Sequence, residues 1–216
     1  MSFCFYFGTF NPIHTGHLIL AQRALAQFGF ERIVFVPAGQ PPHRFSEADL
    51  LPASQRASWV EMAIADNPGF SMETIELDAQ SASYTVETLK KLRASGQYAL
   101  NDDPIPVIIG SDALGRLASW HRPKELIETA CFIQACRPGS TFVKSINLVN
   151  GIQSIPLNTQ LLQAPLMSIS ATAIRQKLCE SNDAELNELR YLLPEPVRQS
   201  LIRENPYRKH GKSPCL

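Results

Sequence analysis

Short apolar runs alternate with stretches of helical period along this chain. Residues 3–7 (FCFYF) form a strand-length apolar run, which residues 8–15 break with a glycine- and proline-containing turn. Leu18, Ala21, Leu25 and Phe28 then recur at i, i+3, i+7 and i+10, the spacing of an amphipathic helix, and Gly29 ends it. Residues 33–36 (IVFV) predict a second buried strand, running into the stretch PAGQPPHR at 37–44, too rich in proline and glycine to continue any element. The alternation continues with a helix over 52–66, a short strand at 74–77, a helix over 85–95, and strands at 105–109 and 131–136. Residues 138–160 carry the weakest pattern. Ser170 has the position of an N-cap for a helix through Cys179, and two more helices are expected at 184–191 and 196–204. This alternation predicts an α/β protein with a mostly parallel sheet, folded as one domain over 1–206 with a frayed tail at 207–216.

Composition narrows the field. Twenty Lys plus Arg balance twenty Asp plus Glu among 216 residues, which argues against a surface built to coat nucleic acid and against an acidic tail. No apolar run approaches the roughly 20 residues that span a bilayer, and the N-terminus lacks the basic and long apolar regions of a secretory signal. A cytoplasmic protein with neither nucleic-acid nor membrane partners is expected. Five cysteines, at 4, 131, 136, 179 and 215, form no CxxC pair and predict reduced thiols, with Cys4, Cys131 and Cys136 in the core.

The strongest local feature is the run Gly8-Thr9-Phe10-Asn11-Pro12-Ile13-His14-Thr15-Gly16-His17, set between a buried strand and a helix. In parallel sheets, ligands settle beyond the carboxyl ends of strands, where a helix N-terminus presents unpaired N–H groups and about half a positive charge. Such a site suits phosphate. Gly8 permits close backbone approach, Gly16 removes a side chain where the helix starts, and His14 and His17 can face one phosphate chain. Zinc ligation by the pair is disfavoured, because the spacing is not HExxH and no cysteine or acidic partner is near in sequence. A second helix start, Ile169-Ser170-Ala171-Thr172-Ala173-Ile174-Arg175, adds two hydroxyls and a planar cationic fork suited to phosphate. Taken alone, it is also an ordinary capping pattern followed by an arginine.

These two segments resemble the signature motifs of the HxGH nucleotidyltransferases: GTFNPIHTGH looks like their N-terminal motif and ISATAIR like their C-terminal ISxTxIR motif. Within that class the chain is similar to the bacterial nicotinate mononucleotide adenylyltransferases. Pro41-Pro42-His43-Arg44, Ser83-Tyr84-Thr85, Ile109-Gly110-Ser111-Asp112, Trp120-His121 and Leu193-Pro194-Glu195-Pro196-Val197 follow that family's order and approximate spacing over nearly the whole chain. Phe7, Asn11 and His121 depart from the pattern, which commonly carries a glycine, an aspartate and an aromatic there.

The resemblance implies a Rossmann-like, doubly wound, mostly parallel sheet with helices on both faces and a small C-terminal helical portion. It implies transfer of AMP from ATP to nicotinate mononucleotide, giving nicotinate adenine dinucleotide and pyrophosphate in NAD biosynthesis. His14, His17 and Arg175 are the expected catalytic donors to the triphosphate. Gly8, Thr9, Phe10, Gly16, Gly110, Asp112, Ile169, Ser170 and Thr172 join His17 and Arg175 as expected ATP contacts. Arg44, Thr85, Trp120 and His121 are expected around the acceptor, with His43 and Arg137 behind them. Mg²⁺ is expected to accompany ATP, held by phosphates and water, so no protein ligand is named. Plainer local readings stay open: Asp112 as a helix cap, Trp120 as core packing, Arg44 as a solvated loop residue. The competing functions are a phosphopantetheine or nicotinamide mononucleotide adenylyltransferase, a cytidylyltransferase, or a non-catalytic nucleotide sensor on the same fold. A homo-oligomer is compatible with the sequence, which does not specify one.

Overall fold

The apolar run at the N-terminus becomes the centre of the sheet. In the computed structural model, which describes residues 2–42, 49–77, 82–148, 154–180 and 185–208, β1 (Phe3–Gly8) pairs in parallel with β2 (Arg32–Pro37) on one edge and β4 (Ile105–Gly110) on the other. β3 (Phe70–Met72) extends the β2 side, while β5 (Ala130–Ala135) and β8 (Thr159–Leu162) extend the β4 side. Every pairing in this six-stranded sheet, ordered β3-β2-β1-β4-β5-β8, is parallel.

Alternate side chains of each strand enter two separate apolar layers, so both faces are covered and the strands read as unbroken apolar runs. Cys4, Tyr6, Ile33, Phe35 and Ile108 pack with α1 (Thr15–Phe28), α2 (Ala53–Ile64), α6 (Ala171–Glu180) and α7 (Glu195–Glu204). Phe5, Val34, Val36, Val107 and Ile109 pack with α3 (Thr85–Ala94), the short α4 (Ser111–Leu114) and α5 (Pro123–Thr129). The doubly wound expectation therefore holds. Gly29 closes α1 with φ 68°, a left-handed conformation that glycine adopts without a Cβ penalty.

Because the chain winds from β1 toward β3 in one direction and from β4 toward β8 in the other, the carboxyl ends of β1 and β4 open a crevice. Gly8 lies level with Pro37 and Gly110 with Ala135, so the strands end together at this rim.

Several local expectations fail. Residues 74–77 alternate like a strand but form a turn: the Glu73 carboxylate accepts the N–H groups of Thr74 (2.8 Å) and Ile75 (3.0 Å), and the strand lies upstream at Phe70–Met72. The weakly patterned stretch holds an antiparallel pair, β6 (Ser145–Asn147) with β7 (Ser154–Pro156), before β8. A 3₁₀ turn at Glu185–Leu189 stands where a helix over 184–191 was expected, residues 181–184 lying outside the described residues. Cys4, Cys131 and Cys136 are free, whereas Cys179 is disulfide-bonded, against the expectation of reduced thiols throughout.

The expected tail is also corrected at its start. Tyr207 is buried, and its hydroxyl donates to Asn11 Oδ1 at 2.8 Å, tying the chain's end to the loop after β1; residues 209–216 lie outside the described residues. Apolar packing brings it there: α7 lies against α2, and Trp59 Nε1 donates to Ser200 Oγ at 3.2 Å. Tyr207→Phe keeps the ring and removes the buried hydrogen bond, so urea unfolding should show a loss of about 1 kcal/mol.

Candidate active site

The crevice holds two cavities that share a floor. One, of about 340 Å³, lies between the loop after β1 and the start of α6, and is lined by both segments singled out in the sequence. Gly8, Thr9, Phe10, Gly16 and His17 face Ile169, Ser170 and Thr172 across it, and Gly110 and Asp112 close a third side. Two segments more than a hundred residues apart thus meet, with Ile169 Cβ only 3.6 Å from where a Cβ on Gly16 would stand. Ser170 is the N-cap expected of it: its Oγ accepts the N–H of Ala173 at 3.2 Å.

Side chains crowd Gly8 and Gly16. A Cβ on Gly16 would lie 3.0 Å from His14 Nδ1, and one on Gly8 would lie 2.7 Å from the Phe10 ring. Phe10, expected as an ATP contact, is a buried floor residue with φ 47°, its ring 5.1 Å from His17 and nearly perpendicular to it. Phe7 occupies ordinary strand backbone opposite Val36, so no glycine is needed there.

His14 and His17 stack at 3.7 Å between ring centroids and 20° between planes. The N–H of His14 donates to His17 Nδ1 at 3.2 Å, which leaves Nε2 to carry the proton of a neutral His17 ring. Burial, then the charge of Arg137, pushes the His14 pKa down to about 4. Burial, the neighbouring His14 and Arg137 push His17 well below the ordinary imidazole value. Both rings are therefore neutral N–H donors at pH 7.

Arg175 is not aimed into this cavity. Its Nε donates to Asp49 Oδ2 at 2.5 Å and its Nη1 to the Asn11 carbonyl at 2.9 Å, so the guanidinium lies buried behind the loop after β1. Expecting it to point inward beside the histidines was wrong for this state, because Asp49 supplies a counter-charge that no local pattern announced. Among the described residues the cation lining the cavity is Arg137, ranked behind the others from sequence alone.

The second cavity, of about 600 Å³, is lined by Thr85, Trp120 and His121, as expected for the acceptor. It shares Phe7, Gly8, Thr9 and Ala113 with the first. Trp120 is half-buried against it, while His121 stacks on Tyr84 with centroids 4.2 Å apart. Arg44 and His43 lie outside the described residues. Sequence reasoning missed Glu76, a buried carboxylate on this cavity that accepts from Thr88 Oγ1 at 2.6 Å. Burial pushes its pKa up, and hydrogen bonds from Thr88 and Ser83 oppose that rise. Ser83 also bonds Gln40 in both directions, its N–H to the carbonyl (2.9 Å) and its Oγ from the N–H (3.1 Å), so the two walls of the cavity are laced together.

Fold and site together define a nucleotidyltransferase of the cytidylyltransferase-like class, and the family model of that description matches residues 5–177. The chain is 34% identical over 203 residues to a probable nicotinate-nucleotide adenylyltransferase of Acidothermus cellulolyticus, covering 94% of this chain and 92% of that one. A protein of the same description from Saccharopolyspora erythraea is 37% identical over 206 residues, 95% of this chain and 89% of that one. The chain belongs to the nicotinate-nucleotide adenylyltransferase family. Its fold matches a solved Plasmodium falciparum nicotinic acid mononucleotide adenylyltransferase complexed with NaAD, with a TM-score of 0.72 over 95% of this chain and 97% of that one, at 19% identity.

The depressed histidine pKa values make stability depend on pH. Above about 6.5 neither the folded nor the unfolded state protonates His14; below it the unfolded chain takes up a proton that the folded one refuses until about pH 4. Stability should therefore fall on acidification through this window, by up to about 1.4 kcal/mol per pH unit for such a group. Chemical denaturation at pH 7 and pH 5 should show a smaller loss for His14→Asn than for the wild type.

Proposed function

We propose that this protein transfers AMP from ATP to nicotinate mononucleotide, forming nicotinate adenine dinucleotide and releasing pyrophosphate in NAD biosynthesis. The observation that carries this reading is the pair of cavities meeting over Gly8 and Thr9. One suits a nucleoside triphosphate, the other an aromatic mononucleotide, and the shared floor is where two phosphates would meet. An oxygen of the acceptor phosphate attacks the α-phosphorus of ATP; the bond to the oxygen bridging the α- and β-phosphates breaks, and pyrophosphate leaves with that oxygen. The nucleophile is already anionic, so positioning and charge stabilisation can supply most of the catalysis.

In this proposal the neutral His14 and His17 rings donate N–H bonds to the triphosphate, helped by amides at the starts of α1 and α6 and by the Arg137 charge. Arg175 joins them only by exchanging Asp49 for a phosphate oxygen. Mg²⁺ neutralises phosphate charge when bound. Among the described residues no group of three or more His, Cys, Asp or Glu is placed to hold a metal, and Asp112 is the carboxylate lining this cavity, so the ion would arrive with ATP and be held mainly by its phosphates and water.

Preference for the acid over the amide has support at the start of α3. Thr85 and Val86 line the acceptor cavity and occupy the first turn of that ten-residue helix, where N–H groups lack helical acceptors. A pyridine carboxylate is favoured there by the helix dipole; a neutral carboxamide gains less. No helix among the described residues is long and apolar enough to cross a membrane.

Pyrophosphate release with ATP and a panel of acceptors tests the reading: nicotinate mononucleotide should turn over, nicotinamide mononucleotide much less, and phosphopantetheine not at all. Preference for either of the latter would move the protein to another activity of the class, and ATP binding with no release would make it a sensor. In the same assay His17→Ala should lower kcat on the order of 10²-fold or more, and a near-normal kcat would remove His17 from catalysis.

A further inference from the structure

Beneath the shared floor lies a cation that the mechanism above does not use. Arg56, on the first turns of α2, is 0% exposed. Its guanidinium donates four hydrogen bonds, all to main-chain carbonyls: Nη1 to Thr9 at 2.6 Å, Nη2 to Ala38 at 2.6 Å and Gly39 at 3.0 Å, and Nε to Leu51 at 2.9 Å. Among the described residues no carboxylate forms an ion pair with it. Burial draws its pKa down to about 10, with Tyr207 and Glu76 opposing the shift, so it stays charged at neutral pH. Removing an arginine from water without a bonded carboxylate is costly, and carbonyl dipoles satisfy its N–H groups while leaving its net charge standing.

The carbonyls it gathers come from both halves of the site. Thr9 lines both cavities and Ala38 lines the acceptor cavity. The joint has no slack on the acceptor side: a Cβ on Gly39 would sit 1.9 Å from the Glu76 carbonyl oxygen. Alongside the main-chain bond from Ala38 N–H to Gly8 O (2.9 Å), the planar fork of Arg56 therefore clamps the loop after β1 to the wall after β2.

We infer that Arg56 is a positioning residue that sets the spacing between the ATP loop and the acceptor wall, its buried guanidinium held behind Thr9, which lines both cavities. The inference rests on the adenylyl-transfer reading. In-line attack needs reacting atoms about 3–3.5 Å apart, and a misplacement of about 1 Å can cost on the order of 10²-fold in rate. Lysine would keep the charge but cannot span carbonyls on three sides with a rigid planar fork.

Arg56→Lys and Arg56→Met should be compared with the wild type by thermal melts, pyrophosphate release, and calorimetric titration with ATP alone and nicotinate mononucleotide alone. Assayed below their melting temperatures, both variants are expected to lose kcat by about 10²-fold while each binary dissociation constant stays within about threefold. A folded Arg56→Lys with near wild-type kcat would overturn the inference. So would a kcat loss matched by equal weakening of a binary complex, or failure of both variants to fold, which would assign Arg56 to stability alone. Wild-type protein that releases no pyrophosphate with nicotinate mononucleotide would count against the activity itself; an active wild type beside an equally active Arg56→Lys would count against Arg56 alone.

Discussion

A strand buried on both faces and hydrogen-bonded along both edges cannot bend or expose polar groups until it ends, and β1 is such a strand. All the flexibility of conformation needed to meet a ligand is therefore pushed to its carboxyl end. There the turn from β1 into α1 brings a helix start, two imidazoles and two glycines, closely approached by the His14 and Phe10 rings, to the rim shared with β4. The reversal of winding between β1 and β4 keeps helices off this rim, so the crevice stays open to nucleotides.

The site keeps its positive charge under control. The histidines are neutral because burial and Arg137 disfavour a proton. Arg175 is balanced by Asp49, and Arg56 is surrounded by carbonyls. Among the described residues, the exposed Arg137 is the cation at the cavity wall. Neutral N–H donors at the cavity wall add hydrogen-bonding capacity at little repulsive cost to the folded protein. Asn11 joins the parts: its side-chain amide donates to Asp49 O (2.8 Å), its Oδ1 accepts from Tyr207, and its carbonyl accepts from Arg175. An aspartate there could not make the first of these bonds, since a carboxylate has no N–H to give. The asparagine departure from the family pattern thus suits this arrangement.

Much of this was legible in the chain, for local reasons. Glycines, histidines and a capping serine declare themselves by residue type and by position relative to the apolar runs. Trp120, Thr85 and His121 were reached through family resemblance, and the structure gathers them on one cavity. Arg56 left a signal that could have been read: it shares a helical stripe with Trp59, Val60, Ala63 and Ile64, all buried, so an arginine stood at a core position of an amphipathic helix. Glu76 was hidden inside a strand-like alternation that Glu73 turns into a cap. Asp49 and Tyr207 offered no comparable signal, since their partners lie 126 and 196 residues away along the chain.

By itself the sequence determined the fold class, the two helix starts that line one cavity, and the family, because these depend on periodicity and on residue types acting within a few positions of one another. Only the tertiary structure decided which way each charge points. Arg175 turns to Asp49, Arg56 to the carbonyls of three segments, and Tyr207 to Asn11, because an ionic or polar side chain buried by folding takes whichever partner the packing of distant elements sets beside it.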